Sequence, residues 1–205
     1  MIKKLRIMFR KLRTIQQNIT YHCYSRCQGL NYLLLDKVAK QCFIEAIRMC
    51  QAKYAFELIA VEIVDNHFHL VIRTLIDEAE ISYIMQYIKA RTAEKYNRAT
   101  GRKGPFWNER YGCTIIEESD NPEAYLLWLL WYVAFNPVRA GLSSDPRDNY
   151  IGFINCYLKE DYELPVPIKI TLHPYFYKLG DNFSECAEKF LLYEDAYRKR
   201  LAIYF

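Results

Sequence analysis

Ala60-Val61-Glu62-Ile63-Val64-Asp65-Asn66-His67-Phe68-His69-Leu70-Val71-Ile72 is the stretch on which the reading of this chain turns. Val and Ile dominate it, which suits the pleated, crowded surface of a strand. Asp65-Asn66 interrupts it with turn-forming residues. The pattern therefore predicts a tight hairpin, with one strand over 56–64 and a second over 67–74. Successive strand side chains point to opposite faces, so His67 and His69 project side by side and Phe68 points away from them. The chain has only four histidines. Paired neutral imidazoles suit a divalent metal ion, while a histidine on a strand is also commonly a satisfied structural residue. A catalytic ion needs a third protein ligand and open positions for substrate.

Outward from the hairpin, Ile19 to Tyr24 carries β-favouring residues on both parities and reads as a buried strand within 14–26. Asp36 offers an N-cap for a helix reaching Tyr54, with Val38, Cys42, Ile47 and Cys50 at helical spacing. Glu78 to Thr100 reads as a second helix with Ile81, Ile84, Met85 and Ile88 inward, broken by Gly101-Arg102-Lys103-Gly104-Pro105. Arg110 to Glu117 reads as a strand. Asp120 or Asn121 caps a third helix, with Pro122 in its first turn and Leu126, Leu127, Leu129, Leu130 and Val133 along it. Pro137 stops that helix near Asn136. Pro165 and Pro167 mark a loop, and 182–204 is an amphipathic helix. The order β-α-β-β-α-β-α predicts an α+β fold: a ferredoxin-like antiparallel sheet with helices packed on one face of it, plus a helical C-terminal extension. The expected organisation is a basic leader over 1–13, a main domain over 14–145 and the extension over 146–205.

With 52% hydrophobic and 16% aromatic residues in 205, the chain has material for a sizeable core and is not a disordered segment. A formal net charge of +4 points only weakly to an anionic partner. The seven cysteines are odd in number and form no C-x-x-C. Cys23 and Cys27 lack a second pair to complete a zinc site, so free thiols in a reducing, cytoplasmic setting are expected. Charges interrupt the apolar residues of the leader, and no apolar run is long enough to span a bilayer, so no membrane partner is expected. The leader reads as a solvated segment or a basic arm on phosphates, ahead of a membrane-surface helix.

Tyr132 and Asn136 stand four apart and share a helix face. An Asn carbonyl is a hard oxygen ligand suited to Mg²⁺ or Mn²⁺. A Tyr hydroxyl one turn away is a potential nucleophile. Taken alone, Tyr132 is equally one of 18 tyrosines, most of which must pack, and Asn136 a helix-end residue before Pro.

Asp65-Asn66-His67-Phe68-His69-Leu70-Val71 resembles the HUH motif (His, hydrophobic, His) of single-tyrosine transposases. Tyr132-Val133-Ala134-Phe135-Asn136-Pro137-Val138-Arg139-Ala140-Gly141 resembles their tyrosine-helix signature, in the form typical of the REP-associated tyrosine transposase branch. Phe106-Trp107-Asn108-Glu109-Arg110-Tyr111 is similar to that branch's Leu-Trp-Gln-x-Arg-Phe segment, and Tyr21-His22-Cys23-Tyr24-Ser25-Arg26 to its first strand. The resemblance covers about residues 18–145, in the family's order. It departs at Val133, where Ile is frequent, and at Asn108-Glu109, where Gln-Gly is usual and an acid now faces the expected DNA surface.

The resemblance implies a metal-dependent enzyme that nicks and rejoins single-stranded or hairpin DNA through a 5′-phosphotyrosine link. Tyr132 would be the nucleophile, and His67, His69 and Asn136 the ligands of Mg²⁺ or Mn²⁺. The protein would act as a monomer or homodimer. Arg91, Lys95 and Arg98 lie on one helix face and, with Arg102 and Lys103 after it, form either a phosphate-tracking surface or a solvated face. Trp107 and Tyr111 beside Arg110 suit stacking on unpaired bases or packing in the core. Arg139 of the tyrosine signature joins the expected DNA-binding set, and His22 is expected to be structural. Two other readings stand beside this one. The first is a domesticated hairpin-binding protein without cleavage. The second is a phosphoesterase or nucleotide hydrolase, for which no further His motif is present.

Overall fold

The β-rich runs form four strands: β1 (Thr20–Arg26), β2 (Phe56–Ile63), β3 (His67–Thr74) and β4 (Gly112–Ile115). They belong to a computed structural model in which residues 17–204 are described. The basic leader over 1–13, and the first residues of the strand expected within 14–26, lie outside the described residues. The strands form one antiparallel sheet in the order β2-β3-β1-β4, the ferredoxin-like arrangement. Val64 N–H donates to His67 O at 2.9 Å to close the hairpin across Asp65-Asn66. Strand β4 is shorter than the run expected over 110–117.

Helix α1 (Lys37–Lys53) begins at Asp36, whose carboxylate accepts from Val38 N–H at 2.8 Å. Tyr96 of α2 (Ile81–Thr100) donates to the same carboxylate, tying the two helices together. The buried face of α1 is Ala39, Phe43, Ile44, Ala46, Ile47 and Cys50, one position away from the expected Val38 and Cys42. Phe43 supplies more apolar area than either, and burial follows area. The four residues expected inward on α2 are all buried, and Gly101, in the left-handed region at φ 68°, ends the helix.

Helices cover both faces of the sheet, not one. On the first face, Phe68 of β3 packs on Phe43 of α1 with ring centroids 4.7 Å apart. Trp107 closes this side against Phe68 (5.1 Å), Phe106 (4.5 Å) and Phe43 (6.1 Å), and donates its indole N–H to Lys89 O. On the other face, His69, next to Phe68 in sequence, meets Tyr132 of α3 (Pro122–Ala134). The reason is the composition of α3, which starts at the Asn121 cap and then buries Leu126, Leu127, Leu129, Leu130, Trp131, Val133 and Ala134. A helix apolar nearly all round must be enclosed on more than one side.

The sheet encloses one side of α3 and the last helix encloses another. A short turn α4 (Asn136–Arg139) follows α3, and later come α5 (Pro174–Tyr177) and α6 (Phe183–Tyr204). Trp131 stacks on Phe190 of α6 and donates its N–H to Phe190 O at 3.1 Å. Buried Glu194 of α6 takes both Arg147 and Arg198. Residues beyond 145 therefore share the core with the sheet.

His173 sits in this seam. Its Nδ1 accepts from Tyr175 N–H at 3.1 Å, so Nε2 carries the proton and donates to Thr20 Oγ1 at 3.0 Å. Burial holds its pKa down to about 4, against an ordinary 6.5. Below 6.5 the unfolded chain takes up a proton that the folded one refuses, so this contribution falls as pH falls through 6.5 toward 4. Denaturant midpoints should therefore show a loss of about 2 kcal/mol from His173 between about pH 7 and about pH 5, and that slope should flatten in His173→Gln. A second expectation concerns Trp107. Its replacement by Ala should cost about 3–5 kcal/mol in urea unfolding, as for a core aromatic. A cost within about 0.5 kcal/mol would mark a surface ring instead.

Candidate active site

β3 alternation turns His67 and His69 toward α3, with ring centroids 5.1 Å apart. His22, expected to be structural, lies inside this site. Its Nε2 is 2.9 Å from His69 Nδ1, and the two rings stack at 5.1 Å. His22 is two residues before Tyr24, which pairs with His69 in the β1–β3 register, so β1 parity was the signal that could have found it. The bond to His22 uses His69 Nδ1 and leaves the buried His69 Nε2 without a partner. His67 Nδ1 is 2.9 Å from Asn66 Oδ1, which only accepts, so that nitrogen carries the proton.

Asn136 comes from the α3–α4 junction and is 8% exposed. Its Nδ2 donates to Tyr132 O at 2.7 Å, and its side chain also bonds to His67. Only one of the two amide hydrogens is used on Tyr132, and Oδ1 is the acceptor that the side chain can offer a cation. Burial lowers the pKa of all three imidazoles. His22 falls to about 4, while His67 is lowered despite the opposing Asp65. His69 is held well below the usual value, through burial and then through the neighbouring His22, His67, Arg139 and Arg26. The pair is therefore neutral near pH 7, the state in which imidazole lone pairs bind metals.

Tyr132 presents its ring edge-on to His69 at 5.7 Å and to His22 at 6.3 Å. It stacks on Trp128, one turn earlier, at 5.9 Å, and Arg139 lies over it at 5.6 Å. Trp128 was missed in the sequence, although it shares the four-residue spacing of Tyr132 and Asn136. The three histidines, Trp128 and Tyr132 line a pocket of about 520 Å³ that also takes in Tyr24, Arg26, Glu109 and Arg110. Tyr24 lies across Gly112 of β4, where an added Cβ would stand 2.4 Å from the ring. Glycine at 112 is therefore what lets that ring lie over the sheet edge.

The expected DNA-contacting residues divide. Arg110 lines the pocket and Arg139 covers Tyr132. Arg91 and Arg98 on α2 both pair with Glu94, at 2.6 and 2.8 Å, and Lys95 borders a hollow between α1 and α2. These three are not brought to the histidine pocket. Arg102 braces its own turn by donating to Gly104 O and Pro105 O, while Lys103 is exposed. Trp107 and Tyr111 are buried, at 8% and 7% exposure, so neither ring is offered for stacking on a base.

Among the described residues no group of three or more His, Cys, Asp or Glu is placed to hold a metal ion. The set expected here is instead two histidines and an amide oxygen. The unpartnered, buried His69 Nε2 fits a ligand of that set, because such an atom ordinarily has a partner. None of the seven cysteines is joined in a disulfide. No described helix is long and apolar enough to cross a membrane.

The family described as "Transposase IS200 like" matches residues 15–126, which include the histidine strand and end before Tyr132. A solved structure described as a REP-associated tyrosine transposase bound to a REP hairpin is 22% identical, with a TM-score of 0.55, over 69% of this chain and 79% of that one. A putative transposase from Deinococcus radiodurans R1 is 18% identical, with a TM-score of 0.39, over 57% of this chain and 89% of that one. The curated proteins yield no match. A match over more than half of the chain settles the family and, with it, a transposase-like role in DNA processing: this chain belongs to the IS200-like transposase family.

Proposed function

We propose that this chain nicks and rejoins single-stranded DNA at hairpins, with Tyr132 as nucleophile and a 5′-phosphotyrosine link as intermediate. The observation that carries this reading is the meeting of Tyr132 with the His22–His69 pair, in which His69 Nε2 is buried without a hydrogen-bond partner. A hairpin substrate is supported by the structural neighbour, described as bound to a REP hairpin.

His67, His69 and Asn136 would hold Mg²⁺ or Mn²⁺. Bound there, such an ion supplies positive charge to the scissile phosphate. The remaining chemistry belongs to the chain. Arg26 and Arg110 at the pocket attract the phosphate backbone. Trp128 and Arg139, both against the Tyr132 ring, hold it in place. The bond from Asn136 to Tyr132 O fixes the helix end that carries it. His22 fixes the orientation of His69, as outer partners of ligating histidines do. The Tyr132 oxygen loses its proton to solvent and forms a bond to phosphorus. The bond from phosphorus to the 3′ oxygen breaks, and that oxygen leaves with a proton as a free 3′-OH. Attack by another 3′-OH reverses the exchange, so no external energy source is consumed.

The test incubates the full chain with Mn²⁺ and hairpin oligonucleotides labelled on the 3′ side of the cleavage point. A labelled covalent adduct is expected in the parent protein and absent in Tyr132→Phe. Adduct persisting in that variant would sink the assignment, and tight binding with no adduct on any hairpin would favour a binding-only protein. Calorimetric titration with Mn²⁺ adds a prediction on the ligands: His22→Ala should weaken binding by about 10–100-fold, and His69→Ala should remove it.

A further inference from the structure

Helix α6 brings chemistry to the nucleophile from outside the signature residues. Its Tyr197, Arg200 and Leu201 share one helix face and meet Trp128, Tyr132 and Arg139 around a second hollow of about 200 Å³. Trp128 and Tyr132 also line the histidine pocket, so their stacked rings form the partition between the two. The Arg200 guanidinium lies 5.3 Å from the Trp128 ring centre, and that of Arg139 lies 5.6 Å from Tyr132. Tyr197 is buried beside Trp128 at 5.3 Å and hydrogen-bonds Arg139.

The charge state of this hollow differs from that of its surroundings. Arg147 and Arg198, close by, are paired with Asp145 and Glu194. Among the described residues neither Arg139 nor Arg200 has a carboxylate partner, and no acid lines the hollow. Two uncompensated guanidiniums over aromatic rings make a site for an oxyanion attached to a flat, stackable group. A nucleotide unit of single-stranded DNA has that chemistry, and the hollow adjoins the nucleophile.

We propose that Arg139, Arg200 and Trp128 form a subsite for the nucleotide next to the scissile phosphate, with α6 as its outer wall. The proposal rests on Tyr132 being the nucleophile. Arg200 grips the neighbouring phosphodiester, Trp128 offers a ring face to its base, and the strand bends around Tyr132 with the scissile phosphorus toward the histidines.

The experiment uses the full chain and hairpin oligonucleotides in which one phosphate at a time is replaced by an uncharged methylphosphonate. At one position adjoining the scissile phosphate, this replacement should slow adduct formation by the parent about tenfold, the effect of one lost charged hydrogen bond. Arg200→Ala should be about tenfold slower on unmodified DNA and insensitive at that position alone. Effects that multiply at every position, or a variant as fast as the parent, would overturn the subsite. A second readout needs no cleavage. In a Tyr132→Phe background, Arg200→Ala should make the slope of log affinity against log salt shallower by about 0.7, one phosphate contact on a single strand. An unchanged slope overturns the subsite whether or not adduct forms, whereas a shallower slope without adduct in the parent overturns only the nucleophile assignment. Inorganic phosphate is the control for a free-anion site. It should compete with DNA no better than chloride at equal ionic strength, and selective competition abolished by Arg200→Ala would mark a site for free phosphate instead.

Discussion

The register between β1 and β3 is the constraint on which this site depends. Tyr24 faces His69 and Arg26 faces His67 across that pair. Strand side chains alternate with period two, so a slip of one residue would turn both histidines under α1 and push Phe68 out among them. What prevents the slip is apolar burial on the opposite side. Phe68, Leu70 and Ile72 are fully buried, and Phe68 is wedged between Phe43 and Trp107. At about 1.5–3 kcal/mol for each fully buried side chain, that row outweighs the polar groups behind it. The two imidazoles hold their side because the aromatic and aliphatic residues between them hold the other.

The second constraint is polar and sits on the histidine side. Glu62 of β2 pairs with His69 in the β2–β3 register and is 1% exposed, and burial raises its pKa to about 8. Its oxygens accept from Ile63 N–H and Asn149 Nδ2, and Asn149 also donates to Ala134 O at 2.8 Å. One short chain of hydrogen bonds thus joins the sheet to the end of α3, two residues before Asn136. Together with the bond from Asn136 to Tyr132 O, it fixes where the tyrosine helix ends relative to the histidine strand. Such links carry weight here because an unmade bond in this interior is expensive.

Local sequence signals carried the hairpin, the caps at Asp36 and Asn121, and the glycine stop at Gly101, because each is decided within a few residues. Direction was harder. Helical spacing showed that Arg91, Lys95 and Arg98 share a face, but spacing cannot say how that face looks relative to a sheet built from residues far along the chain. The same gap left His22 apart from His69, 47 positions later. It also left Trp107 divided between base and core, which only the approach of Phe43 and Phe68 decides. The expectation of helices on one face failed for a related reason. The apolar circumference of α3 was visible in Leu126 to Val133, and it already required cover on more than one side.

That requirement links stability to chemistry. A helix carrying a reactive tyrosine could stand at the surface, but α3 spends its other faces on the sheet and on α6, through Trp131 against Phe190 and Phe135 against Tyr197. Arg147 and Arg198 close over Trp131 and Phe135 while holding Glu194, so the ion pairs lie over the aromatic seam and not apart from it. Tyr132 is left bordering the histidine pocket and the small hollow against α6, with neighbours that restrict its ring elsewhere. The residues after 145 thus do more than lengthen the fold: by covering the back of α3 they determine which way the tyrosine faces.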